Sequence, residues 1–243
     1  MNKKYMLGAI ACAVFTLFAA FPASSFGQDD AKTTLDSTKV PAIAKSVKGF
    51  VPQGWKLEED VKGDLNGDGV ADHVLKLIEE KPANAKEDEM SEGDRAMVIV
   101  FADKEGKLRR AAVAPSVLQC GGCGGAFYGV MTAPANVSIK KGVIIVEQDY
   151  GSRWVTEMTF RFRYDEQPGM FILIGFDFSS RDRAEGSSSS ESTNYLTGTR
   201  ITTTTKDDKT TSKTTKVAKD RMSIEEVDKD KFDEEANKRL GLD

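Results

Sequence analysis

Asp64, Asn66, Asp68 and Asp72 set four side-chain oxygen donors within nine residues of the stretch GDLNGDGVADHVL. Calcium takes about 6 to 8 oxygens, and an EF-hand-type loop supplies them from side chains at positions 1, 3 and 5, a backbone carbonyl at 7 and often a water at 9. Asp64, Asn66, Asp68, the Val70 carbonyl and Asp72 fill those positions, with Gly69 for the turn. Position 12, where an EF-hand places a bidentate Glu, is Leu75. Three carboxylates this close repel one another unless a cation offsets them. The expected ion is calcium, held weakly, in the roughly 10⁻⁴ to 10⁻³ M class of extracellular modules. A metal-free turn is the alternative, because Asn66-Gly67 and Asp68-Gly69 are both strong turn dipeptides.

The pattern DLNGDGVAD running straight into a strand resembles the calcium loops of FG-GAP-type repeats. That resemblance implies ion binding through Asp64, Asn66, Asp68 and Asp72. FG-GAP repeats build a propeller from several copies, and this chain carries one copy, so a full propeller is not expected. A wider set of segments, VPQGW, CGGCGG, GSRW, FRFRY, FILIGFD and NYLTG, is similar to a group of secreted bacterial proteins described as FG-GAP-like. This similarity implies no activity.

Cys120 and Cys123 lie in QCGGCGG. In an exported chain the pair reads first as a short-range disulfide. A free thiol pair, a redox centre and a zinc site are the alternatives. Redox chemistry calls for the first thiol at a helix N-terminus, which four glycines within residues 121–125 oppose. Zinc needs two further ligands, and His73 is the single histidine. His73 could serve as a base, yet at a strand edge it reads as structural. Tyr150, Arg153 and Trp154 form an aromatic and basic cluster suited to a glycan or peptide. The alternative there is Trp154 in the core and Arg153 paired with a surface acid. No HExxH, GxSxG or P-loop pattern occurs, so no catalytic residues are assigned. A polysaccharide hydrolase needs only two carboxylates, which leaves that reading open, with a CxxC thiol oxidoreductase behind it.

The elements positioning these residues are mostly strands. Val74–Ile78, Ala96–Ala102 and the run from Leu108 precede a hairpin over Val137–Gln148. In VTEMTFRFRY, Met158, Phe160, Phe162 and Tyr164 share one face while Glu157, Arg161 and Arg163 share the other. That period of two marks a sheet with one buried face and one wet face. MFILIGFDF follows a turn, and two Thr-rich runs around Asp207 and Asp208 read as an exposed hairpin. The expected fold is mainly β, an antiparallel sheet of successive hairpins. A short N-terminal helix starts near Pro41, and a short C-terminal helix covers Asp230–Leu240 behind a Ser223/Glu226 capping box. Residues 81–95 read as a solvated excursion and 181–193 as a mobile loop. The expected organisation is a leader over 1–27, a disordered polar segment over 28–40, one β-rich domain over 41–222 and a helical tail over 223–243.

Lys3 and Lys4 precede an apolar run, Leu7 to Phe21, that ends in small residues. This is the pattern of a secretory signal peptide, with cleavage after Ser25 or Gly27. The run has 15 residues, short of the roughly 20 that span a bilayer. Taking Lys3 and Lys4 from the 34 basic residues leaves 32 against 38 acids, a net charge of −6. An acidic surface argues against nucleic acid, and no later stretch is long enough for a membrane span. Together these features predict a periplasmic or secreted, calcium-stabilised domain that binds a protein or glycan without catalysis.

Overall fold

The computed structural model describes residues 34–80, 93–129 and 131–242. The expected signal peptide, the start of the polar segment and most of the 81–95 excursion lie outside them. The described residues fall in one unit, built on two antiparallel sheets. The smaller comprises β1 (Ile43–Ala44), β2 (Trp55–Gly63), β3 (Asp72–Glu79), β4 (Arg95–Ala102) and β5 (Leu108–Ala114), in the order β1-β5-β4-β3-β2. The larger comprises β6 (Ala135–Lys140), β7 (Val143–Gly151), β8 (Trp154–Asp165), β9 (Met170–Asp182), β10 (Ser188–Asn194), β11 (Thr199–Lys206) and β12 (Lys209–Lys216), in simple reverse order. Helix α1 (Lys229–Leu240) closes the chain. The fold is neither a closed barrel nor a propeller.

Beyond Arg95, strand β4 is apolar because both its faces are covered. Met97, Ile99 and Phe101 point into the core shared with the larger sheet, while Ala96, Val98 and Val100 point into a second core on the outer face. Leu35, Val40 and Phe50 cap that outer core. The expected N-terminal helix is corrected here: Ile43–Ala44 pair with β5, and a single 3-10 turn spans Val47–Phe50. The segment must lie extended along the β5 edge, where Ala42 O accepts the Arg110 amide at 2.9 Å, while Phe50 reaches the outer core.

The larger sheet buries one face. Met158, Phe160 and Phe162 of β8 meet Phe171, Leu173, Phe176 and Phe178 of β9 inside it. Leu173 and Phe176 could not share a face in an unbroken strand. Arg161 pairs with Gly175 and Phe162 with Leu173, so Ile174 is an extra residue that resets the alternation. Part of this aromatic face meets the smaller sheet. Another part lies under α1, where Phe232 stacks edge-on against Phe160 and Phe176, with centroids at 5.4 and 5.0 Å.

The expected loop over 181–193 is likewise replaced, by the end of β9, a turn and β10. Glu191 and Thr193 alternate inward beneath α1, and Arg239 pairs with Glu191 at 2.9 and 2.6 Å, which lets a Ser-rich, charged stretch hold a place inside a sheet. Among the described residues no helix is long and apolar enough to cross a membrane. Because Phe160 touches β9 and α1 together, Phe160→Ala is expected to cost about 3–5 kcal/mol by urea denaturation; a loss under about 1 kcal/mol would contradict this packing.

Candidate functional site

The acidic loop joins β2 to β3 and is curled by its own side chains. Asp64 Oδ1 accepts the Gly67 amide at 2.7 Å and Oδ2 accepts that of Gly69 at 3.0 Å. Asn66 Oδ1 accepts from Asp68 N at 3.0 Å, and Asp68 Oδ1 from Val70 N at 2.8 Å. Such Asx turns substitute for backbone turns. Gly67 and Gly69 hold φ of +82° and +84°, which only glycine adopts without strain. Asp64, Asn66 and Asp68 are thereby gathered in one turn, and Asn66 Nδ2 donates to Asp68 Oδ2 at 3.1 Å.

Asp72 is engaged elsewhere. Its Oδ2 accepts the Leu65 amide at 2.9 Å, its Oδ1 accepts the Ala102 amide at 3.0 Å, and the residue is closed to solvent. Burial pushes its carboxyl above the ordinary range, opposed by those two amides and aided by the charges of Asp68 and Asp64. Asp72, expected at position 9 of an ion shell, differs from the turn acids in being buried: its two oxygens fasten the loop to the end of β4. Among the described residues no group of three or more His, Cys, Asp or Glu side chains is arranged to hold a metal. The remaining donors are Asp64, Asn66, Asp68 and the Val70 carbonyl. Their all-oxygen chemistry, with unused lone pairs on each carboxylate, fits a hard cation. His73 braces the neighbouring strands, its Nδ1 lying 2.8 Å from Asp60 Oδ1 of β2.

Cys120 and Cys123 are joined in a disulfide with Cα atoms 5.1 Å apart. Residues 121–124 form a turn, without the helix N-terminus that the redox reading requires. A buried guanidinium fixes this loop. Arg95 grips Glu58 with two bonds of 2.8 Å, while its Nη1 donates to the carbonyls of Gln119 and Ala133 at 3.3 and 2.9 Å. Glu58 can reach Arg95 because it is the extra residue of a bulge in β2.

Beyond the disulfide the chain docks on the β7–β8 turn. The Phe127 amide donates to Gly151 O at 2.8 Å, and the Gly151 amide to Gly124 O at 3.0 Å. Of the expected trio at this turn, Trp154 presents its ring to solvent, 44% exposed. Tyr150 is half-buried and donates to Asp233 of α1 at 2.5 Å. Arg153 grips the buried Asp182 through Nε at 2.9 Å and Nη2 at 2.5 Å, and Glu185 at 2.7 Å. Arg153 and Trp154 are thus exposed side by side, with Arg153 committed to two acids and Tyr150 turned to α1. Phe127, also 44% exposed, joins Trp154 at this end, with the Arg183 guanidinium 4.7 Å from its ring centroid. The aromatic pair between glycines in GGAFYG was the available sequence signal for Phe127.

Glu157 and Asp177 share the open face of the larger sheet, where a hydrolase could use paired acids. Each is matched by an arginine: Arg161 lies 2.7 Å from Asp177, and Arg181 lies 3.7 Å from Glu157.

Two outcomes follow from this geometry. Asp72→Ala strands two buried amides and is expected to cost about 1–3 kcal/mol by denaturation in chelator; no loss would contradict the fastening role. Arg153 holds the Asp182 carboxyl down at about 2, below the roughly 3.9 of an unfolded Asp. The stability this gives is fully present above about pH 4 and is lost as pH falls towards 2. Arg153→Met should abolish that part of the acid profile, read as the denaturation midpoint against pH; an unchanged profile would contradict it.

No family model, curated protein or solved structure matches the chain, so the FG-GAP-like resemblance of the acidic loop rests on its own residues.

Proposed function

We propose that this chain is an exported, calcium-stabilised β-domain that works by binding a protein or glycan rather than by catalysis. The observation that carries the reading is the Asx-turn network of Asp64, Asn66 and Asp68. These three side chains and the Val70 carbonyl would hold calcium, with water completing its shell. The ion would offset charges that otherwise repel across the turn. With so few protein donors and no bidentate Glu, affinity falls in the roughly 10⁻⁴ to 10⁻³ M range. That suits a structural ion in a calcium-rich exterior better than a sensor.

Export is supported by Lys3, Lys4 and the apolar run to Phe21, and by a disulfide of the kind that persists in oxidising compartments. The binding surface we favour is the end carrying Phe127, Trp154 and Arg183, where two exposed rings and a cation offer the mixed apolar and polar contacts that a sugar or peptide takes up.

Thermal melting with 10 mM calcium and then with excess chelator tests the metal reading. Mass action at these affinities gives about 1.4–2.7 kcal/mol, or roughly 3–10 °C. Asp68→Ala should remove most of that difference. Equal melting temperatures in calcium and chelator would overturn the proposal.

A further inference from the structure

The chain between β12 and α1 crosses back over the larger sheet and leaves a cleft of about 300 Å³. Its floor is apolar, made by Leu173, Val217, Met222 and Phe232, with the Tyr195 ring beside them. Four carboxylates, Asp220, Glu226, Asp228 and Glu235, stand around it against two cations, Arg200 and Lys231. Arg200 is partly committed: its Nε donates to Thr193 Oγ1 at 2.8 Å and lies 3.8 Å from the buried Glu191. Glu235 shares Arg239 with Glu191, at 3.1 Å. Glu226 and Asp228 accept the Ser223 and Asp230 amides at 2.9 and 3.0 Å, contacts that leave their charges in place. The walls thus carry excess negative charge over an apolar floor with two aromatic rings.

From this geometry we infer that the cleft is a binding site for a small organic amine, an ammonium group on an alkyl or aryl body. The body covers Leu173, Val217 and Met222. The ammonium group meets the acids of the lining beside the Tyr195 and Phe232 rings, a combination that selects cations. A carboxylate of the same shape would face more acids than cations. The volume lies at the low end for ligand sites, about 300–1,000 Å³, which restricts the occupant to a compact molecule. Burial also raises the Tyr195 phenol, so it stays neutral as a hydrogen-bonding group. The site shares no residue with the acidic loop or with the Phe127–Trp154 end, so it stands or falls separately from the function proposed above.

The test is a titration of the full domain, in chelator, with hexylamine, phenethylamine, hexanol and hexanoate, followed by NMR on the Met222 methyl and the Tyr195 and Phe232 rings. Saturable shifts are expected with both amines, with hexanol weaker and hexanoate weakest. Asp220→Asn combined with Glu226→Gln keeps the amide contact at Ser223, because glutamine can still accept it. This variant should weaken amine binding about tenfold with little change for hexanol, its fold checked by circular dichroism. The single variant Asp220→Lys should weaken amine binding as well. Absence of saturable shifts, equal binding of hexylamine and hexanoate, or full amine affinity in a folded variant would overturn the assignment.

Discussion

A strand gives only every second side chain to a core, and this alternation governs the molecule because its larger sheet is built from consecutive hairpins with one apolar face. The phenylalanines of β8 and β9 fill that face, and the extra residue Ile174 keeps them on one side through a break in register. An aromatic surface of this extent needs cover. The smaller sheet supplies part of it and α1 the rest, with Phe232 and Ala236 as the helix's contribution. The smaller sheet is then left with an outer face of its own. Residues 35–50 close that face through Leu35, Val40 and Phe50, with a two-residue strand at Ile43–Ala44 between two 3-10 turns in place of an α-helix.

Polar groups drawn into such an interior are tolerated only when matched, since an unpaired buried charge costs several kcal/mol. Arg95 with Glu58, Glu191 with Arg239 and Asp182 with Arg153 each meet that condition through bidentate contacts. Asp72 meets it with two backbone amides. Three of these hold an irregular segment against a sheet, and Glu191, in the middle of β10, holds the helix. Arg95 holds the disulfide loop, Asp182 the β9–β10 turn, Glu191 the end of α1 and Asp72 the acidic loop. The buried charges thus position the loops, and the loops carry the groups available for binding.

Much of the strand pattern was legible in the sequence, because period-two alternation in residues 155–164 and the turn dipeptides at 141–142 and 207–208 are local signals. The terminal helix was legible as Asp230–Leu240, but its cap is Asp228 and not the Ser223/Glu226 box expected before it, and Gly241 ends it. Long-range partners were not legible. Glu191 reads as a solvated acid until Arg239 arrives 48 residues later, and the helical spacing of Ile43, Val47 and Phe50 cannot reveal an edge of β5 waiting for them. The anchoring bonds of Asp72 were equally hidden: spacing marks it as an ion ligand and says nothing of the Ala102 amide, 30 residues away, that it also holds. Its immediate neighbour on β3, His73, was read as structural from its place at a strand edge, and its partner Asp60 lies across the β2–β3 pair. Of the expected surface cluster, Tyr150 and Arg153 were taken by Asp233 and Asp182, residues on α1 and at the end of β9.

We propose a loop with two layers: a base anchored by Asp72 through the Leu65 and Ala102 amides, and a rim at Asp64, Asn66 and Asp68 that calcium would order. Residue-resolved amide hydrogen exchange in chelator and in calcium separates the layers directly. The Leu65 and Ala102 amides are expected to be protected in both conditions, and those of Gly67, Gly69 and Val70 to gain protection when calcium is added. Rim amides that exchange at the same rate with and without calcium, or base amides protected only in its presence, would contradict it.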